Sequence, residues 1–467
     1  MLRQAGKEAG ILGKSILMDG IKIVLPDKVR YIIEMLLYAG FEAYAVGGCI
    51  RDSLLGRKPK DWDITTSASP AKVKELFRRT IDTGEQHGTV TVMIGVEGFE
   101  VTTYRIDGVY EDGRHPKEVT FVKTLRTDLE RRDFTINAMA YNETDGLVDI
   151  FDGKGDLKRK VIRCVGDPRQ RFFEDALRMM RTVRFAAELG FSIDENTRAA
   201  VCAQSADLCR ISAERIQSEL VKLLTSEHPQ EMRTLYETGI TGVILPEFDA
   251  MMQTGQNNPH HKYSVGEHTI AALMNTPNDR ILRLTMLLHD VAKPVCRTVG
   301  KDGFDHFYGH PKTGSKMAKT ILRRLKFDND TTEKVCRLIA GHDENPPPTE
   351  KDVRRAMVKI GIEAYPAIFS VKRADLLAQS GYEREKKLAY LKEYEACYKR
   401  ITEKKQCLTL RELAVSGKDL ICAGMEPGPC LGEALSMLLE AVLEDPSKNT
   451  KEGLLALAKE AHFFGIH

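Results

Sequence analysis

The stretch VGGCIRDSLLGRKPKDWDIT, residues 46–65, decides how this chain is read. The apolar segment AYAV (43–46) that leads into it has the composition of a buried strand, and WDIT (62–65) reads as a second strand. Twelve residues separate Gly48 from Asp61. Side chains alternate faces along a strand, so Asp61 and Asp63 are predicted on one face and Trp62 on the other. Two carboxylates a few ångströms apart repel unless a hard cation lies between them. Mg²⁺, which takes oxygen ligands and keeps substrate phosphates in its shell, is the natural occupant. Gly47 and Gly48 leave room for backbone amides to approach a triphosphate. Alternate acids on a strand are usually a solvated face. The glycine turn at this spacing turns the reading toward phosphoryl transfer.

Bulk properties narrow the class. At 467 residues the chain exceeds one core, which predicts three or four domains. The first twenty residues lack a continuous apolar run, and the ten cysteines form no CxxC pair. Reduced thiols, a cytoplasmic location and no membrane association are therefore expected. A net charge of +2 announces no nucleic-acid partner. Locally, Lys158 to Arg184 holds nine Lys/Arg against three acids, a surface suited to phosphates.

Short strand-like runs (YAVGG, TVTVMIGV, FEVTTYRI, VTFV) alternate with helical stretches up to about residue 160, after which helical patterns dominate. The fold class is therefore α+β: a mixed head at 1–160, a helical neck at 161–230, a helical body at 231–390 and a helical tail at 391–467. Helices are predicted over 171–190, 212–225, 230–238, 265–293, 313–326, 331–341, 352–360, 364–400 and 432–444. Pro346–Pro348 marks a rigid loop, and residues 383–405 read as a long exposed helix.

Three further stretches carry chemistry. Glu100, in the strand-like GFEVTTYR, is the candidate third carboxylate, able to complete a two-metal clamp and to help deprotonate an attacking hydroxyl. LERRDFTINAMAY (129–141) places Arg132, Asp133 and Asn137 before an apolar run read as a helix, which Asp133 would cap. Arg132 and Asp133 equally suit a ribose or phosphate. In EDALRMMRTVRFAAELGF (174–191), Asp175, Arg178, Arg181 and Arg184 recur at a step of three, one acid followed by a ladder of guanidiniums on a predicted helix.

Taken together, GGCIRDSLLGRKPKDWDI, ERRDFTINAMA and EDALRMMRTVRF resemble the bacterial-type (class II) CCA-adding enzyme and poly(A) polymerase family, in order over about residues 28–250. The resemblance implies a nucleotidyltransferase head with a five-stranded sheet. It implies metal binding by Asp61 and Asp63, nucleotide contacts from Gly47, Gly48, Arg51 and Asn137, ribose contacts from Arg132 and Asp133, and nucleobase reading by Asp175 and Arg178. That last role fits elementary chemistry. Cytosine and adenine both set an exocyclic amine donor beside a ring-nitrogen acceptor, which a carboxylate and a guanidinium match. Guanine and uracil present the reverse pattern. Arg181 and Arg184 are then candidates for the triphosphate. Residues 102–119 resemble the family's flexible loop, with Gly108 and Gly113 permitting motion. GMEPGPCLGEAL (424–435) opens a segment resembling the family's tail, implying contact with the elbow of tRNA.

A second constellation lies downstream. Seven of the twelve histidines fall between residues 260 and 342. His268, His289, Asp290 and Asp375 match the signature of the HD metal-dependent phosphohydrolase domain, and His310 and His342 extend it toward a second metal. Mixed imidazole and carboxylate ligands suit a first-row transition metal or Mg²⁺. The expected activity is template-independent addition of CCA to tRNA from CTP and ATP. Poly(A) synthesis, partial CC or A addition, and a chiefly HD hydrolytic role are the alternatives.

Overall fold

The computed structural model describes residues 22–84, 88–107, 119–122, 124–257, 263–301 and 303–461. The extreme N-terminus and residues 108–118, most of the expected flexible loop, lie outside the described residues. The chain forms two compact units that divide between Ile244 and Leu245.

In the first unit nine strands precede the helical region: β1 (Ala43–Val46), β2 (Asp63–Thr66), β3 (Thr80–Gly84), β4 (Thr89–Ile94), β5 (Glu97–Thr103), β6 (Arg105–Asp107), β7 (Val119–Phe121), β8 (Met139–Asn142) and β9 (Gly146–Asp149). Seven of them form one mixed sheet, ordered β3-β4-β5-β2-β1-β8-β9, two strands more than the expected five. The pairs are antiparallel except β2 with β5. β6 and β7 pair separately, with Arg105 opposite Phe121. The apolar run after Asn137 is strand β8 rather than a helix. Its Ala140 registers with Val46 of β1 and all four of its residues are buried, which a central strand requires. Tyr44, Val46, Tyr104, Leu129 and Ala140 share one core cluster on this sheet.

Gly47 turns the chain from β1 into the short helix Gly48–Leu54 with φ 85°, a left-handed conformation that favours glycine. The predicted helix over 171–190 is two helices, Pro168–Glu174 and Leu177–Leu189, because Asp175 adopts an extended conformation (φ −143°, ψ 103°). The second of these buries Met179, Met180, Val183 and Ala187 and packs against the helix Ala213–Leu224.

The second unit is helical apart from a two-stranded ribbon (Thr298–Val299 with Asp305–His306) among the described residues. The expected 265–293 helix divides into Val265–Met274 and Arg280–Leu288, the latter capped by the Asp279 carboxylate on the Leu282 N–H at 2.9 Å. The expected 364–400 helix divides into Tyr365–Ala378 and Arg384–Glu403. Tyr365, Phe369 and Tyr394 anchor the core of this region, while Leu413, Leu420, Leu438 and Leu454 form a separate cluster nearer the C-terminus. Among the described residues no helix is long and apolar enough to cross a membrane.

Candidate active and metal-binding sites

β2 begins at Asp63, so strand alternation does not govern Asp61 and Trp62. All three line one depression with Glu100. The parallel register Ile64 to Val101 sets Asp63 beside Glu100 on the neighbouring strand. Partial burial and the adjoining Asp63 and Asp61 charges push the Glu100 carboxyl above its ordinary range. Burial also raises Asp63, opposed by the Arg132 guanidinium and reinforced by Asp61. Three mutually repelling acids call for a cation among them and fit Mg²⁺, which needs only one or two carboxylates beside phosphate oxygens. They do not close into a cage: the only groups of three ligand atoms within 4.8 Å of one another, among the described residues, lie in the second unit.

The glycine turn is packed against a guanidinium. A Cβ on Gly47 would stand 3.0 Å from Arg132 Nη1, so residue 47 must lack a side chain for this guanidinium to lie against the turn. Arg132 Nη2 lies 3.5 Å from Asp128, and its buried Nε has no hydrogen-bond partner among the described residues. An orphaned buried donor costs about 1–3 kcal/mol, so a phosphate or ribose oxygen is its natural acceptor. Arg51 donates to Asn137 Oδ1 at 2.7 Å, and Asn137 Nδ2 donates to Asp133 Oδ1 at 3.1 Å. Asp133 also accepts two hydrogen bonds from Arg181, at 2.9 and 2.5 Å. Burial opposes its ionisation, yet Arg181 holds its carboxyl well below the usual range. Asp133 thus anchors the motif internally rather than capping a long helix.

The candidate nucleobase-reading pair, Asp175 and Arg178, is assembled differently from the expected helical ladder. Asp175 precedes the helix that carries Arg178, and its carboxylate accepts from the Leu177 N–H at 3.0 Å and from Arg215 at 2.8 Å. Arg178 donates to Glu174 Oε2 at 2.9 Å and to the Arg131 carbonyl at 3.0 Å. Each member is held by its own partner, Asp175 by Arg215 and Arg178 by Glu174. Arg181 and Arg184 are also committed within the protein: Arg184 pairs with Glu188 and Glu219, both at 2.6 Å. Arg51, Arg181 and Arg184 surround the ring of Phe185 at 5.1, 5.3 and 3.6 Å. Sequence reading missed Phe185, Glu174, Arg215 and Glu219. The last two lie some forty residues from their partners, on an amphipathic helix where charged residues are ordinary.

In the second unit six side chains converge. His268 Nε2 lies 2.8 Å from Asp375 Oδ1, and His289 Nε2 lies 3.4 Å from His268 Nε2. His310 Nε2 and His342 Nε2 lie 3.3 Å apart. Asp290 stands between the groups, with Oδ2 3.2 Å from His289 and Oδ1 3.4 Å from His310. His289, His310 and His342 each direct Nδ1 at the carbonyl three residues earlier, at 2.7–2.8 Å. An Nδ1–H donated there leaves Nε2 as a lone pair facing inward, the tautomer a metal ligand needs. Asp290 is 1% exposed, and its Oδ2 lies 2.8 Å from the Lys293 ammonium. Inward-facing lone pairs beside buried carboxylates fit one cation held by His268, His289 and Asp375 and a second by Asp290, His310 and His342.

Residues 43–163 match the profile described as "Poly A polymerase head domain", 190–252 that described as "Probable RNA and SrmB- binding site of polymerase A", and 310–458 a "tRNA nucleotidyltransferase domain 2" profile. The CCA-adding enzyme of Limosilactobacillus fermentum is 36% identical over 439 residues, spanning 93% of this chain and 96% of that protein. The chain belongs to the CCA-adding enzyme family. A second family member, from Lactobacillus delbrueckii subsp. bulgaricus, is 36% identical over 91% of this chain and 95% of its own. The crystal structure of the Bacillus stearothermophilus CCA-adding enzyme in complex with CTP shares 31% identity and a TM-score of 0.70, covering 92% of this chain and 96% of that one. The α+β head and helical remainder are those of the CCA-adding enzymes.

Proposed function

We propose that this protein builds or repairs the 3′-terminal CCA of tRNA from CTP and ATP, releasing pyrophosphate, in the cytoplasm. The observation that carries the reading is the separate clamping of Asp175 by Arg215 and of Arg178 by Glu174, in a chain similar to CCA-adding enzymes over nearly its whole length. A fixed acceptor and a fixed donor three residues apart would read the edge shared by cytosine and adenine without a nucleic-acid template. Head (1–160), neck (161–230), body (231–390) and tail (391–467) would divide the work, with the tail on the tRNA elbow.

Asp61 and Asp63 would hold Mg²⁺, which when bound neutralises the triphosphate and lowers the cost of ionising the primer hydroxyl. Gly47, Gly48 and Arg51 take the phosphates, and Arg132 the ribose or a phosphate oxygen. The primer's 3′ oxygen bonds to the α-phosphorus as the bond to pyrophosphate breaks, pyrophosphate keeping the electron pair. Glu100 is the candidate to receive the hydroxyl proton. Arg181 and Arg184 contribute mainly by holding Asp133, Phe185 and the reading helix in place.

Incubation with tRNA lacking its last three nucleotides, with each NTP alone and together, tests the reading. Addition of C, C and A, and no addition from GTP or UTP, is expected. A homopolymer tail would make the protein a poly(A) polymerase instead.

A second proposal concerns the other constellation. His268, His289, Asp290 and Asp375, with His310 and His342, would bind a divalent transition metal or Mg²⁺, as their inward lone pairs support. Phosphate release by the metal-loaded protein, lost in His289→Ala and retained in Asp61→Ala, tests for HD-type hydrolysis.

A further inference from the structure

Asp61, Asp63 and Lys60 are shared by two depressions of the first unit. One, of about 610 Å³, is lined by Gly48, Arg51 and Arg184 together with Arg57, Lys58 and Lys222. The other, of about 870 Å³, is lined by Trp62, Phe99, Glu100 and Lys28. Displacement at the α-phosphorus sets the attacking and leaving oxygens roughly in line, on opposite sides of the atom transferred. Gly48 and Arg51 mark the first depression as the side of the triphosphate, where pyrophosphate leaves. The attacking hydroxyl then comes from the second.

That second depression has the chemistry of a nucleotide seat. Trp62 is half-buried on its wall, which Phe99 also lines. Lys60 carries no ion pair to any described residue and stands where the two depressions meet. An aromatic face beside a cation is how proteins hold an unpaired nucleotide without reading its identity. Tolerance of identity is required here, because the primer end changes with each addition. We propose that this depression receives the 3′-terminal nucleotide of the RNA primer, its base stacked on the indole of Trp62 and its backbone near Lys60. The assignment rests on the nucleotide-addition reading above.

Trp62 is the only tryptophan of the chain, so its emission reports on this site alone. Titration of the full-length protein with tRNA ending in CC, without ATP, is expected to quench that emission saturably. CTP alone, and tRNA trimmed back into its acceptor stem, leave it unchanged. In steady state, Trp62→Ala raises KM for the primer tRNA roughly tenfold, as loss of one stacked base predicts, with KM for CTP unchanged and Trp62→Phe restoring most of the loss. Normal CCA addition by the native chain with no primer-dependent quench overturns the inference and leaves the reading of the enzyme standing. A quench by CTP but not by primer overturns it by reversing the two sides. Failure of the native chain to extend any tRNA overturns the parent reading instead.

Discussion

The acids of the first unit and the histidine–aspartate cluster of the second stand at opposite ends of how a protein prepares for a cation. Asp61, Asp63 and Glu100 line an open depression, repel one another and fall short of a closed cage. The cluster's six ligands converge in the interior, with three imidazoles already oriented by backbone carbonyls. A site that must accept and release a nucleotide each cycle borrows much of its coordination shell from substrate phosphates. A site complete in itself binds its ion from the protein side. On the proposed reading, incompleteness in the head would be part of how it works, and completeness in the cluster predicts a resident ion.

The contrast is open to breakage. Asp61→Ala or Asp63→Ala should lower nucleotide addition on the order of a thousandfold or more in primer-extension assays, since charge neutralisation is the main catalytic contribution there. Metal content measured on the same variants should not change. Equal loss of bound metal would show that the two sites are not independent. Next in size, Asp290→Ala should weaken metal retention at the cluster by at least about a hundredfold, read by elemental analysis after dialysis, because it removes a member of the second ligand group and the carboxylate that stands between the two groups. Extension of tRNA by that variant should stay near normal.

A smaller effect is expected from the clamps on the reading pair. Arg215→Ala frees the Asp175 carboxylate and should cut discrimination against UTP and GTP by about tenfold, the value of one charge-assisted hydrogen bond. Arg178→Ala should loosen the same preference more than it weakens tRNA binding. An unchanged nucleotide preference in both variants would remove the pair from the reading role. The smallest effect follows from repulsion in the head. With its carboxyl pKa raised by burial and Asp61, ionised Asp63 costs stability at neutral pH, and that cost is relieved as pH falls through the raised pKa. Asp63→Asn should therefore raise Tm modestly at pH 7, with the gain vanishing near pH 4; an equal gain at both pH values would locate its origin elsewhere.

Much of the architecture was legible because its signals are local. A continuous apolar run announced β1, strand-like runs announced β4 and β5, and the glycine pair announced the turn. The helical remainder followed from its repeating apolar positions. The misreadings have a common cause. A four-residue apolar run such as 139–142 suits helix or strand until a partner exists, and only pairing with β1 makes it β8. The uninterrupted periodicity of 171–190 hid the break at Asp175, which its bond to Arg215 helps fix. Trp62 was expected to face away from the acids because nothing local reveals that β2 starts one residue later.

What the chain's order of residues determined alone was chemistry: which acids, guanidiniums and imidazoles are present, and in what motifs. Helix and turn signals act over a few residues, so they survive in one dimension. Tertiary structure alone decided who holds whom: Arg215 on Asp175, Arg132 against Gly47, His310 and His342 on the far side of Asp290. Such partners are brought together by burial of apolar faces elsewhere in the fold, a non-directional force that leaves no mark beside the residues it places.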